Sequence, residues 1–209
     1  SLPSRGLGDV YKRQVMAKTA KFDRQDVVDR ATNLYWEKGF HATSMRNLQD
    51  VIDMRPGSIY ATFGSKEGLF KETLARYTEL GILNLNRFRS ETGSPIKALE
   101  SFIKRAVVES KQSAPNGMCM LAKTVAELTD EHAELLGEAK KSLKIMEGEF
   151  AKLIAEAQDL GEISKDREPA QLARHVQVQI AGLRTYAKTC DDTELLNSMV
   201  EDIFKYHPF

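Results

Sequence analysis

Thr43-Ser44-Met45-Arg46-Asn47-Leu48-Gln49-Asp50-Val51-Ile52-Asp53-Met54-Arg55-Pro56-Gly57-Ser58-Ile59-Tyr60-Ala61-Thr62-Phe63-Gly64-Ser65-Lys66 decides how this chain folds. The stretch reads as two short helices joined by a tight turn. Thr43 or Ser44 suits the N-cap of the first helix, because a hydroxyl accepts from its orphan amides. Leu48, Val51 and Ile52 give that helix one apolar side. Asp53-Met54-Arg55 forms the turn, and aspartate tolerates the left-handed backbone a turn needs better than most residues. Pro56 fits the first position of the second helix, where no amide donor is required. Ile59 and Phe63, at i and i+4, point inward. The opposite face carries Arg55, Gly57, Ser58, Ala61 and Thr62. So little bulk lets a helix sink into the major groove, where a few side chains reach base edges.

Roles follow from these positions. Arg55, Gly57, Ser58 and Thr62 are the candidates for base edges, and Arg55 is equally suited to a phosphate. Tyr60 lies one residue off the Ile59/Phe63 stripe, so its hydroxyl is expected at the surface, against the DNA backbone. Thr43 and Ser44 sit where helix amides also point outward, a natural phosphate site. Lys66 stands in the first turn of a helix, where the dipole disfavours a cation. A phosphate contact would explain that placement.

Outward from this stretch, everything after residue 20 reads helical. Val27, Val28, Ala31, Leu34 and Tyr35 share one face of an amphipathic helix capped by Asp23 and stopped by Gly39. Ser65 caps a long helix from Lys66 towards Ser90. Pro95 opens another, to about Ser113, and a short one runs from Met118 to Leu128 after the Ala114-Pro115-Asn116-Gly117 break. Leu136, Ala139, Leu143, Met146, Phe150, Leu153 and Ala157 form a heptad-like stripe, read as a bundle helix that ends at Gly161. The last two helices span Pro169 to Lys188 and Glu194 to Tyr206, the second capped by Asp191 or Asp192. No strand pattern occurs. The expectation is an all-α chain of nine helices, three plus six.

Bulk properties set further bounds. With 209 residues the chain can build a real core. No apolar run approaches the ~18–20 residues that span a bilayer. Two cysteines, Cys119 and Cys190, form no disulfide framework and fit a reducing cytoplasm. The four histidines never pair at metal-ligand spacing, so neither a metal nor another cofactor is expected. Net charge is zero, but residues 1–66 hold 11 Lys/Arg against 7 Asp/Glu, and residues 67–209 hold 19 against 23. The basic end is the end with the paired helices, which suits a nucleic-acid footprint. Ser1 to Gln14 lacks helical period and looks foreign to the fold. Met16 reads as a natural start, and the rival reading is a basic arm for the minor groove.

The run from Gly39-Phe40 through Thr43-Ser44 to Ile59-Tyr60, Phe63 and Lys66 resembles the TetR family of bacterial transcriptional regulators. Ala31, Leu34, Tyr35, Leu48, Pro56, Gly57, Ser58, Ser65, Leu69 and Phe70 match as well, over about a quarter of the chain. Asp53 departs from the glycine usual in that turn. The resemblance implies a DNA-binding domain at residues 20–66 and an effector-binding and dimerisation domain at 67–209, behind an extension at 1–19. It assigns DNA contact to Thr43, Ser44, Arg55, Pro56, Gly57, Ser58, Tyr60, Thr62 and Lys66. It implies a repressor acting as a homodimer on double-stranded operator DNA, joined through the last two helices and released by a small-molecule effector. Leu195, Leu196, Met199, Val200, Ile203 and Phe204 give the final helix more apolar surface than one face needs, and Gly182 permits close helix approach.

Met118-Cys119-Met120-Leu121 is similar to a subgroup in which a Gly-Cys pair begins this helix and some members sense electrophiles through the cysteine. Here Met118 replaces the glycine. Cys119 at a helix start, with Lys123 one turn away, would gain thiolate character; the competing reading is a packed small hydrophobe. Cys190, beside Asp191 and Asp192, is expected to be inert. His132 is expected on a solvated face, and His175 in a core or interface. Two other function classes are open to the sequence. An enzyme with Cys119 as nucleophile lacks a histidine placed as its base. A protein-binding adaptor would lack salt-dependent retention on DNA.

Overall fold

Asp23 accepts the Gln25 amide in its carboxylate, and so caps α1 (Arg24–Lys38). The computed structural model describes residues 23–206, apart from the side chain of Gln112; the segment 1–19 lies outside them. α1 is followed by α2 (Met45–Ile52), α3 (Pro56–Phe63) and the long α4 (Lys66–Thr92). α5 (Pro95–Lys104) passes through a π-helical stretch, Arg105–Glu109, into α6 (Ser110–Ser113). Then come α7 (Met120–Glu127), α8 (Ala133–Asp159), α9 (Pro169–Tyr186) and α10 (Thr193–Lys205). With α5, the π stretch and α6 taken as one rod, the described residues form nine helical rods and no strand, as expected.

Local chemistry sets most helix starts. Ser44, Ser65, Ser94 and Asp192 each accept a backbone amide at an N-cap, and Pro56, Pro95 and Pro169 open their helices. The expected single helix from Pro95 to Ser113 is corrected by the π-helical stretch. A π turn is set by packing against neighbours and leaves no period that a sequence reading can count.

Apolar burial divides into two clusters. The first joins Val27, Ala31, Tyr35 and Phe40 to Leu48, Ile59, Leu69, Phe70 and Leu74, and also to Met120, Leu121, Leu128, Leu135 and Ala139. Thus the core under the helix-turn-helix does not end at Lys66; α7 and the start of α8 complete it. The second joins Leu99, Ile103 and Val107 to Phe150, Ile154, Val176, Leu196 and Val200. α8 packs on α4, α5, α7 and α9. Its buried face runs through Leu135, Ala139, Ser142, Met146, Phe150, Leu153, Ile154, Ala157 and Gln158, with Leu136 and Leu143 only half-buried. A straight helix drifts about 20° per heptad, so the buried face departs from the strict stripe.

Arg76 fixes α4 to α1. Its guanidinium donates to both Asp29 oxygens at 2.6 and 3.2 Å. That pairing, more than any other influence, holds the Asp29 carboxyl below its ordinary range.

Leu196, Val200 and Ile203 of α10 are buried in the chain's own core, while Leu195 is exposed and Met199 half-buried. The surplus apolar surface expected of the last helix is therefore smaller than its sequence suggests. His175 is exposed, so it is not a core residue. Cys190 is half-buried, with its thiol 3.7 Å from the Asp192 carbonyl.

Candidate nucleic-acid interface

α2 and α3 meet through a left-handed residue. Asp53 has φ 52° and ψ 43°, its amide donates to the Gln49 carbonyl, and Met54 fills the angle as a buried side chain. Ile59 and Phe63 face the core, while Arg55, Pro56, Gly57, Ser58, Tyr60 and Ala61 are exposed and Thr62 is half-exposed. Nothing lies within 4 Å of the place a Gly57 Cβ would occupy. Tyr60 is 49% exposed. The outer face of α3 is therefore as bare as its sequence suggests.

Two expected contacts are altered. Thr43 is 0% exposed and its hydroxyl donates to the Gly39 carbonyl at 2.6 Å, so it neither caps α2 nor reaches a phosphate. Ser44 caps instead, in a reciprocal box. Its Oγ accepts the Asn47 amide at 3.1 Å, and Asn47 Oδ1 accepts the Ser44 amide at 3.0 Å. A phosphate at this helix start would meet the remaining amides of the first turn rather than the Ser44 hydroxyl.

Lys66 is the second. Its ammonium donates to the Phe40 carbonyl at 2.7 Å and lies 4.2 Å from the centre of the Phe40 ring. Partial burial lowers its pKa from the ordinary lysine value. Its awkward place at a helix start thus has a structural reason 26 residues away, and no phosphate is needed to explain it. The basic charge also lies elsewhere than under the paired helices. Residues 23–66 hold six Lys/Arg and six Asp/Glu, so the excess of the N-terminal third lies in residues 1–22.

Behind this surface, α7 and the turn before it hold α1 and the loop after it from several sides. Trp36 Nε1–H donates to the Met118 carbonyl at 2.6 Å, and Asn116 reaches the Glu37 carbonyl at 3.3 Å. Lys123 Nζ donates to the Glu37 carbonyl at 2.9 Å, at the carbonyl-rich end of α1. Burial lowers the Lys123 pKa. The Glu127 carboxylate accepts the Phe40 and His41 amides at 3.2 and 2.7 Å. Sequence reading missed Glu127 and Trp36, because their partners are defined only by the fold. His132 is corrected too: its ring packs 4.9 Å from Phe40 and 5.1 Å from His41 rather than facing solvent.

α7 also borders a cavity of about 550 Å³. Cys119, Leu121 and Ala122 line it from α7 and its cap, Trp36 from α1, Tyr77 and Asn84 from α4. Residues of the π stretch and α6, of α8, and of α9 close the rest. Cys119 is the N-cap of α7, half-buried, and adjoins the Tyr77 hydroxyl, whose pKa burial pushes up. One short helix thus touches both the cavity and the helix-turn-helix.

A sequence profile described as "Bacterial regulatory proteins, tetR family" matches residues 27–73. A second, "Tetracyclin repressor-like, C-terminal domain", matches residues 95–203, more than half of the chain.

The chain belongs to the TetR family.

Its members are helix-turn-helix transcriptional regulators, and the bare α3 face is the part of this TetR-family chain that suits that task. The HTH-type transcriptional repressor ComR of Escherichia coli (strain K12) is 23% identical over 196 residues, covering 90% of both chains. The uncharacterised regulator YezE of Bacillus subtilis (strain 168) is 24% identical over 187 residues, 89% of this chain and 96% of its own. Among solved structures, a cysteine mutant of the TetR-family regulator CifR, complexed with a 26-base-pair operator duplex, superposes with a TM-score of 0.78 at 24% identity. That match covers 90% of this chain and 98% of CifR. The reduced form of E. coli NemR gives a TM-score of 0.75 at 18% identity, over 87% and 95%. These structural likenesses establish the fold. Among the described residues no helix is long and apolar enough to cross a membrane, and no cluster of His, Cys, Asp and Glu could hold a metal ion.

Proposed function

We propose that this chain is a homodimeric repressor in the cytoplasm that binds double-stranded operator DNA through α3 of each subunit. A small-molecule effector in the cavity releases it. The observation that carries the reading is the α3 face: small, exposed residues stand over an apolar underside, behind a turn closed by Asp53. Ser58 and Thr62 read base edges, Arg55 a base or phosphate, and Tyr60 the backbone. Pro56 and Gly57 let the helix approach, and the α2 start beside Ser44 meets a phosphate. Lys66 chiefly holds Phe40, and any phosphate contact it makes is secondary. Residues 20–66 act as the DNA-binding part and 67–209 as the effector and dimer part, with 1–19 as an extension.

Exposed Val178 and Tyr186 on α9, with open space over Gly182, and exposed Leu195 on α10 supply the dimer surface. A single helix-turn-helix reads half a site, and two-fold pairing places two recognition helices about one DNA turn apart. Occupying the cavity favours a position of α7 in which that spacing is lost, a population shift.

Replacing Thr62 with a bulky residue such as Phe is expected to change base preference by about 1–3 kcal/mol at one position in each half-site. Stability should hardly move, since the side chain is half-exposed. Selection from a randomised duplex library compares the variant with its parent. An identical motif for both would remove Thr62 from the readers.

Cys119 supports a second, narrower reading, because its thiol borders the cavity beside Tyr77. An electrophile that enters the cavity alkylates it, and the added bulk strains the α7 packing. Lys123 does not assist, being bonded to α1 carbonyls. Brief labelling with iodoacetamide followed by mass spectrometry should find Cys119 modified before Cys190, and Cys119→Ser should stay on DNA under the same treatment. Earlier labelling of Cys190 would leave Cys119 as a packing residue only.

A further inference from the structure

We propose that the cavity takes an amphipathic organic acid, its carboxylate held by Arg184 and its apolar body lying among aromatic rings. This rests on the cavity being a ligand site, as proposed above, and names the chemistry it selects. Arg184 is only 5% exposed. Its Nε–H donates to the Gly117 carbonyl at 2.7 Å, and Nη1–H to the Tyr77 hydroxyl at 3.3 Å. The guanidinium carbon is 5.8 Å from the centre of the Trp36 ring. These partners are two neutral oxygens and a ring face; none is a carboxylate. Nη2 is buried and has no hydrogen-bond partner among the described residues. Among the described residues no carboxylate pairs with it, so a permanently charged group is withdrawn from water at the cavity wall without a counter-charge, and with donors to spare.

Burying a cation without an anion is costly, and burying an unpaired donor adds to that cost. An entering carboxylate removes both penalties through charge-assisted hydrogen bonds. Gln177, about two helix turns away on α9, is complementary: its buried Oε1 accepts from no donor among the described residues. It would take a donor from the ligand, a hydroxyl or amide N–H. Trp36, Tyr77, Phe102 and Phe150 line the same space, and rings favour an aromatic or long aliphatic body. The anion site also lies on the route to DNA. Gly117, bonded to Arg184, precedes Met118, whose carbonyl accepts the Trp36 N–H from α1. A ligand that draws the guanidinium towards itself acts on both.

The test uses the full chain with 1-anilinonaphthalene-8-sulfonate as fluorescent reporter, displaced by matched pairs: octanoate against octanol, and phenylpropionate against its amide. The acids should displace the dye at concentrations about tenfold lower than their neutral partners. Arg184→Gln should abolish that gap; Arg184→Lys, which keeps the charge, should keep part of it. Circular dichroism melts establish that each variant is folded, and the acid-to-neutral ratio of the parent protein stands without any variant. Equal competition by acids and neutral partners would overturn the proposal, as would displacement by neither, or an acid preference that survives Arg184→Gln. Operator release, read in parallel, separates the two ideas. Tight acid binding without release would defeat the effector reading and leave the acid site standing; release by acids and neutral partners alike would do the reverse.

Discussion

Val200→Glu is expected to abolish the folded protein, whereas Met199→Glu, one residue earlier, is expected to leave a folded monomer. Val200 is 0% exposed and packs in the cluster that joins α5, α8, α9 and α10. A carboxylate there has no partner, and burying it unpaired costs several kcal/mol. That is a large share of the ~5–15 kcal/mol that holds a typical domain. Met199 is half-buried on the same helix as exposed Leu195, so a carboxylate at that position keeps access to water within one chain. It loses that access only where a second α10 lies against it. Circular dichroism should show lost helix for Val200→Glu and near-parental helix for Met199→Glu. Light scattering should give the parent a dimer mass and Met199→Glu half of it. A stable Val200→Glu would contradict the core assignment, and a dimeric Met199→Glu would move the interface elsewhere.

Gly39→Ala should be strongly damaging for a change of a single methyl group. Gly39 has φ 90° and ψ 175°, a conformation open essentially only to glycine. An added Cβ would also collide with Glu127 Oε2. The carboxylate cannot simply swing aside, because it accepts the Phe40 and His41 amides. Backbone strain and weakened charge-assisted bonds together predict a loss of about 2–4 kcal/mol. Glu127→Ala leaves those amides without their acceptor and should cost about 1–3 kcal/mol. The two losses should not add: with the carboxylate gone, the clash at Gly39 disappears and only the backbone strain remains. Thermal or urea unfolding of the two single variants and the double variant measures this. Strict additivity would mean that Gly39 and Glu127 act independently, and that α7 does not grip the loop after α1.

Features written in neighbouring residues were legible in the sequence. Asp23, Ser65 and Pro56 mark helix starts through bonds within one turn, and Asp53 announces its own left-handed backbone. Ile59 and Phe63 set the inner face of α3, which in turn exposes Tyr60. Choosing between Thr43 and Ser44 failed because adjacent hydroxyls differ only in what the fold brings near; Gly39 takes the Thr43 hydroxyl. Lys66 misled for a related reason, since its carbonyl partner at Phe40 is assembled by tertiary packing. The final helix read as too apolar because its sequence does not reveal that Leu196, Val200 and Ile203 already serve the chain's own core. Nothing in the local pattern marks the cavity. Trp36, Tyr77, Cys119, Gln177 and Arg184 come from distant segments, and the unpaired Arg184 donor exists only once α9 is folded.

Selection of bound sequences from a randomised duplex library, with the full-length protein at physiological salt, tests the central claim most directly. The account predicts enrichment of a motif with two-fold symmetry, whose half-sites are centred about one helical turn apart. Affinity for it should fall steeply as salt rises. Enrichment of an isolated half-site, or of no motif at all, would contradict a regulator that reads its operator with paired α3 helices.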